Sequence, residues 1–464
     1  MAEMIIRELN TALDGNEIFL SLRDERNVFF LDSGMDHGNL GKYSFIGCNP
    51  VELIKAKDSG VEITSYTDGK PALVKKEGNP FDYLNDIYKK YETEYKTELP
   101  FIGGLVGYLS YDLCHFIEKL PRTTIDEVNI PDMYFGVYKG SVVIDHVNNK
   151  KFITDINDDG HGESRLEALI HIIENADIDV KSFRKISDNK TKTVIESNFE
   201  KEDYKKAITK VKDYIRSGDI YQVNMTQRFK GKMNCSAIEL YEKLRAINPA
   251  PFAIYMDFDQ GQIVSSSPER FIKVEDGRIE TRPIKGTRRR GSTPEEDEII
   301  KAELQNCEKD RSELLMIVDL ERNDLSKIAK TGTVEVTELF ALEQYATVHH
   351  LVSTIQAEIE EGLSPIDVIK ATFPGGSITG APKIRAMEII DELEPTSRNI
   401  YTGSIGYIGF NGDIDLNIVI RTFVCKDGEA YFQAGGGIVW DSDEESEYIE
   451  SLDKARALKR ALNS

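Results

Sequence analysis

Two stretches of this sequence offer paired carboxylates at helical spacing. In CEKDRSELLMIVDLERND (307–324), Leu314, Leu315, Ile317 and Val318 mark a helix, and Asp310 and Glu313 sit three apart on one of its faces. In DSDEESEYIESLDKARALKRAL (441–462), a second helix starts near Asp441 or Ser442 and sets Glu447 and Glu450 three apart. Two such pairs have the chemistry of a Mg²⁺ site, because that hard cation takes oxygen ligands and keeps several waters. Solvated helix faces carry the same pairs, so spacing leaves both readings open.

An amine is the next candidate. TRPIKGTRRRG (281–291) reads as a loop with five cations, and Pro283 and Gly286 fix the backbone around Lys285. Neighbouring positive charge favours the neutral amine that a nucleophilic lysine needs. The competing reading is a basic surface loop. Glu269 in SSSPERF follows a proline at a strand end, and its plainest role is a salt bridge to Arg270 or Arg282. His349-His350 is a single pair that fits a core, a surface or a catalytic role. FPGGSITGAPKIRAMEIIDEL (373–393) is a Gly-rich loop opening a helix near Pro382, and free N–H groups at such a terminus suit a carboxylate or phosphate. It is not a Walker loop, since Ala381 follows Gly380. AGGGIV (434–439), with Gly436 and Gly437, would let backbone amides approach a ligand closely.

The elements that must position these groups are legible from periodicity. Tyr204, Ala207, Ile208, Val211, Tyr214 and Ile215 predict a helix that stops at Gly218. IYQVNMTQRF (220–229) predicts a strand with Gln222, Asn224 and Thr226 on a polar face. Asn411-Gly412 predicts a hairpin turn. In DIDLNIVIRT (413–422), Ile414, Leu416, Ile418 and Ile420 share a face opposite Arg421. FIGGLVGYLSYD (101–112) predicts a buried strand pair with close backbone approach. Strands and helices mix without clean alternation, which predicts an α+β fold.

The chain has 464 residues, ample for a sizeable core, and 40% hydrophobic and 30% charged residues mark a folded protein. Its formal net charge of −22 argues against generic binding to nucleic acid or anionic membranes. An anionic ligand would therefore need a local cationic pocket or a metal. The five cysteines form no CxxC, which predicts neither a zinc site nor a disulfide framework. Charges run through the first 25 residues and no apolar stretch of about 20 residues occurs, so neither a signal peptide nor a membrane span is expected. The expected location is cytoplasmic.

Taken together, YQVN (221–224), SPERF (267–271), PIKGTRRRG (283–291), IVDLERNDL (317–325), FPGGSITGAPKIRAMEIIDELEP (373–395), GSIGYIGFNGDIDLNIVIRT (403–422) and AGGGIVWDSDEESEYIE (434–450) resemble the chorismate-utilising enzymes. PFIGGLVGYLSYD (100–112) resembles the N-terminal part of the glutamine-dependent members. The resemblance implies an anthranilate-synthase-component-I-like fold, a layered α/β/β/α sandwich of mainly antiparallel sheets. It implies an N-terminal region at 1–144, a connecting segment at 145–196 with a linker in 181–196, and a chorismate-binding domain at 197–464.

Within the superfamily, Gln222 stands where isochorismate and salicylate synthases carry a water-activating lysine, so ammonia is the implied incoming group. Lys285 and the GGSITGAP loop look like the aminodeoxychorismate synthase component I family, whereas anthranilate synthases usually have alanine at the position of Lys285. That likeness implies amination of chorismate at C4 for 4-aminobenzoate and folate synthesis. Lys285 would attack, Glu269 would act as general acid, and Gln222 and His350 would assist. Mg²⁺ would be held by Glu313 and Glu450, with Asp310 and Glu447 acting through water. Arg421, Tyr401, Gly436 and Gly437 would bind the enolpyruvyl carboxylate, and Ser377, Thr287 and Lys454 would complete the pocket. No cysteine lies in a GxCxG turn, so ammonia would come from a glutamine amidotransferase subunit in a heterodimer. Ser33, Tyr43, Phe45 and Pro251 resemble the region where relatives bind tryptophan. The alternatives are anthranilate synthase component I and a non-catalytic effector-binding protein of the same fold.

Overall fold

Two central strands form where apolar residues run without interruption, and these runs are buried on both sides. Gly104–Leu109 (GLVGYL) and Met133–Tyr138 (MYFGVY) are buried at every position. Where Gly107 crosses between neighbours, a Cβ would lie 2.0 Å from the Tyr134 carbonyl oxygen, so only glycine lets the strands close there. The computed structural model describes residues 3–35, 40–66, 70–176, 193–345 and 348–464.

The strands gather into two mainly antiparallel sheets, each of twelve strands among the described residues. One sheet runs from Glu3–Glu8 at an edge to Gln222–Lys232 and Ile195–Ser197, passing through Phe252–Phe258, Thr422–Lys426 and Glu429–Ile438. The other runs from Ile284–Arg289 through Val348–Glu358 and Arg270–Glu275 to Ala72–Glu77. The inner faces meet in an apolar core, where Phe45 of one sheet and Tyr407 of the other stack edge to face at 5.5 Å. Such a pair adds about 0.5–1.5 kcal/mol beyond the area it buries. Helices cover the outer faces. Gly15–Ser21 and Ala237–Ile247 pack Phe19, Leu240 and Tyr241 onto the first sheet. Pro80–Tyr91 and Glu308–Ser326 pack Leu84, Leu314 and Val318 onto the second. The result is the expected α+β sandwich with helix, sheet, sheet and helix layers.

Several local expectations are corrected. Residues 101–112 form one strand, not a pair; its partners are Met133–Tyr138 and Ser404–Gly409. The 145–196 segment is not merely a connection, since Lys150–Asn157 is a strand within the first sheet and Gly162–Glu174 is a helix packed on it. Most of the proposed linker lies outside the described residues. Residues 1–144 and 197–464 also share both sheets: Phe29–Asp32 pairs with Phe252–Phe258, and Gly104–Leu109 with Ser404–Gly409. Pairing across the two halves, invisible in a linear reading, makes them one body. Residues 441–462 form two helices, Glu444–Lys454 and Arg456–Leu462, which meet at Ala455. All five cysteines are free, and among the described residues no helix is long and apolar enough to cross a membrane.

Candidate active site

The presumed basic loop is a strand, Ile284–Arg289, at the edge of the second sheet and paired with Val348–Glu358. Gly286 makes a bulge in it, with φ of 73°, and the register slips between Lys285 and Thr287. A Cβ on Gly286 would lie 2.9 Å from Leu304 and 3.0 Å from Asp310. The bulge sends Lys285 into a cleft of about 510 Å³. Its Nζ donates to the Ser377 carbonyl at 3.1 Å. Across the bulge, Thr287 Oγ1 pairs with His350 Nδ1 at 2.8 Å.

The arginines around Lys285 do not crowd it with positive charge. Arg282 pairs with Glu343, Arg288 with Asp310 at 2.8 Å, Arg289 with Glu296, and Arg290 with Asp297 at 2.8 Å. What lowers the proton affinity of Lys285 is chiefly burial. Glu269, Glu313 and Glu450 resist that shift, and Lys454 adds to it. Glu269 lies in the same wall and makes no salt bridge to Arg270 or Arg282. Arg270 instead donates to both oxygens of Asp415 at 3.0 Å through Nε and Nη2 on one guanidinium edge. Burial therefore holds the Glu269 carboxyl above the usual range, against the pull of Ser377 and Lys285.

The Glu308–Ser326 and Glu444–Lys454 helices bring Asp310, Glu313, Glu447 and Glu450 into the same cleft. Asp310 is engaged by Arg288, Glu447 accepts from Ser442 at 2.6 Å, and Glu450 pairs with Lys454 at 2.7 Å. Glu313 and Glu447 are raised chiefly by burial, and the charge of Glu450 raises both. Burial pushes Glu450 up too, but Lys454 and its neighbours outweigh it and the net shift is down. Among the described residues no three metal-ligating side chains converge on one point. A carboxylate from each of two helices, in a cleft that disfavours like charges, fits a hard ion that keeps much of its water.

Arg421 does not reach the cleft by strand alternation, because that strand ends at Asn417. It does so from a left-handed backbone, with φ of 54°. Burial lowers its proton affinity, and no carboxylate pairs with it among the described residues. Tyr401 lies beside it in the wall, with its hydroxyl pushed up by burial. Burial also pulls His350 down to about 4, with Arg421 adding to the effect, so the imidazole is neutral at neutral pH. His349 is instead a buried partner of Asp297 at 2.8 Å.

Ser377, Thr287, Lys454 and Gly437 line the cleft with these groups. Gln222 and Gly436 lie just behind its surface. A Cβ on Gly437 would lie 2.3 Å from Gln222 Nε2, so glycine there makes room for a side chain of this protein. A Cβ on Gly436 would sit 3.2 Å from Glu450 and 3.3 Å from Lys454. Asn224 and Gln433 also line the cleft, and neither was singled out. Asn224 could have been, since it lies on the polar face of its strand and donates to the Ile378 carbonyl at 3.1 Å. The Gln433 amide oxygen is buried without a partner among the described residues, and no sequence signal marks it. A separate cavity of about 280 Å³ brings together Ser33, Tyr43, Phe45 and Pro251 with Arg270 and Asn417.

A half-buried amine beside a carboxyl group, a guanidinium without a carboxylate partner among the described residues, and two acidic helix faces define a site for an anionic substrate with room for a cation. Comparison with known proteins agrees: the chain belongs to the chorismate binding enzyme family, whose profile matches residues 29–460. It is 41% identical over 428 residues to aminodeoxychorismate synthase component 1 of Bacillus subtilis (strain 168), covering 91% of this chain and 89% of that protein. It is 39% identical over 456 residues to anthranilate synthase component 1 of Acetivibrio thermocellus, covering 96% and 92%. Among solved structures, anthranilate synthase component I from Streptococcus pneumoniae TIGR4 superposes with a TM-score of 0.76 at 32% identity, over 90% of this chain and 92% of that one.

Competitive acetylation read at Lys285 by mass spectrometry checks the electrostatics of the cleft. Lys285 is expected to titrate below an exposed lysine. Glu269→Gln, which removes a charge that holds the ammonium, lowers its apparent pKa further, and Lys454→Gln raises it.

Proposed function

We propose that this chain is a component I of aminodeoxychorismate synthase, which aminates chorismate at C4 to give 4-amino-4-deoxychorismate. The observation that carries this reading is the Lys285 amine, desolvated in the cleft beside Glu269, whose carboxyl holds its proton more tightly than usual. An amine whose proton is held less tightly is the better nucleophile, and a carboxyl whose proton is held more tightly is the better general acid.

Lys285 Nζ attacks C2 of the ring, both ring double bonds shift along the conjugated path, and the C4 oxygen leaves as water on taking the Glu269 proton. The new secondary ammonium gives up a proton. Ammonia then attacks C4, both double bonds shift back, and the C2–N bond breaks. Lys285 leaves with its electron pair and takes back a proton. Chorismate and ammonia thus give aminodeoxychorismate and water. Two allylic displacements replace one difficult substitution. Glu313 and Glu450 would hold Mg²⁺, with Asp310 and Glu447 behind them. The ion would neutralise the ring carboxylate and draw electron density toward it. Arg421 suits the second carboxylate through a two-pronged guanidinium contact, with Tyr401 beside it and the Gly436 and Gly437 backbone opposite. Neutral His350 and Thr287 orient the ring, and Gln222, behind Gly437, offers no amine to activate water. Ammonia comes from a glutamine amidotransferase partner, the product feeds 4-aminobenzoate and folate synthesis, and the setting is cytoplasmic. The second cavity takes tryptophan: it has aromatic walls at Tyr43 and Phe45, and the Asn417 amide Nδ2 has no partner among the described residues.

A second reading, anthranilate synthase component I, is favoured by the 39% identity to a relative of that name. The deciding assay combines the chain with chorismate, Mg²⁺ and an ammonium salt. Chorismate loss that yields 4-aminobenzoate only after lyase is added is the expected result. Fluorescent anthranilate without lyase establishes the second reading, and no turnover even with the partner subunit points to a non-catalytic effector-binding protein. Glu269→Gln is expected to lower kcat about 10²–10⁴-fold, and Lys285→Ala to abolish amination; wild-type rates in Lys285→Ala would remove the covalent step. Glu313→Ala and Glu450→Ala should each abolish Mg²⁺-dependent turnover. Denatured protein should release tryptophan detectable by mass spectrometry, and its absence would empty the second cavity.

A further inference from the structure

The Glu308–Ser326 helix carries acidic groups at both ends, and only those near its start line the cleft. Glu321 and Asp324, two and three turns further on, are 4% and 1% exposed. They grip the Gly-rich segment from behind. Glu321 Oε1 accepts the Gly376 N–H at 3.1 Å. Asp324 pairs with Lys383, whose Nζ also donates to the Thr372 and Pro374 carbonyls at 3.1 and 2.7 Å. Gly376–Ile378 is a single tight turn, and its middle residue presents the carbonyl that accepts Lys285 Nζ. One peptide unit therefore separates the Glu321 contact from the Lys285 contact. Leu320 leaves no slack, since a Cβ on Gly376 would lie 2.8 Å from its side chain.

We propose that Glu321 is a positioning residue: by holding the Gly376 N–H it fixes the turn whose Ser377 carbonyl aims the Lys285 amine. Reach is what matters here, more than charge. Burial foremost, then Asp324 and Glu269, push the Glu321 carboxyl up to about 7, against Lys383 and the Gly376 N–H. The group is thus part-protonated at neutral pH, and either form keeps an oxygen that accepts from Gly376. Its second oxygen lies 3.4 Å from Thr281 Oγ1, whose firmer bond is to the Phe271 carbonyl at 2.8 Å. The proposal rests on the reading of Lys285 as the reacting amine.

Two substitutions separate reach from charge in the full chain. Glu321→Gln keeps the acceptor and its length; Glu321→Asp keeps the carboxyl but draws it back by one methylene. With chorismate and an ammonium salt, Glu321→Gln is expected to stay close to wild type. Glu321→Asp should lose kcat on the order of tenfold to a hundredfold with KM little changed. Competitive acetylation of Lys285 gives a readout independent of turnover. In Glu321→Asp its apparent pKa should fall, because a carbonyl that has drifted no longer steadies the ammonium; in Glu321→Gln it should not move. The proposal is overturned if Glu321→Asp matches wild type in both readouts, or if Glu321→Gln is as impaired as Glu321→Asp. Wild-type turnover in Lys285→Ala would instead overturn the functional reading and leave the labelling comparison standing.

Discussion

Everything in the cleft depends on one electrostatic compromise, an amine taken out of water within the influence of three carboxylates. Burial strips Lys285 of the solvation that stabilises its charge, while Glu269, Glu313 and Glu450 offer to restore it. Were the carboxylates stronger, the lysine would be a permanent ammonium and no nucleophile; were they absent, a buried amine would gain little from being there. Lys454, paired with Glu450, trims the pull of that carboxylate. Among the described residues, the Ser377 carbonyl supplies the one direct hydrogen bond that gives the amine a direction. A balance of this kind needs rigid surroundings, because Coulomb energies in a poorly solvated site change steeply with distance.

The two sheets provide that rigidity by drawing the cleft from both. Lys285 and His350 sit on paired strands at the edge of one sheet, and Asn224, Gln433 and Gly437 on paired strands of the other. The carboxylates hang over this meeting place from helices outside each sheet. The Glu308–Ser326 helix links the levels. Its first turns face the cleft and are tied to the Lys285 strand through Asp310 and Arg288, and its later turns hold the Gly-rich segment through Glu321 and Asp324. A movement of that helix would shift the Glu313 carboxylate and the amine's anchor together.

The chain's fold and much of its chemical inventory were legible residue by residue. Helical spacing placed Asp310 with Glu313 and Glu447 with Glu450, and alternation placed Asn224 on a polar face, because both periodicities are properties of the local backbone. The same local logic misjudged 281–291, where an arginine-rich stretch reads as a surface loop until each arginine finds its carboxylate. It also gave the wrong reason for Arg421, whose strand ends four residues earlier and whose direction comes from a left-handed backbone. Glu321 went unnoticed inside a motif that had been recognised, since nothing in DLERND distinguishes a solvated glutamate from one buried against Gly376.

The sequence by itself therefore determined which functional groups exist, which of them share an element, and which family they resemble, since those follow from identity and short-range spacing. Only the tertiary structure decided which charges are neutralised, which carboxyl is pushed up by burial and which amine is pulled down. Desolvation and Coulomb interaction act through space, between residues such as Lys285 and Glu450 that lie far apart along the chain.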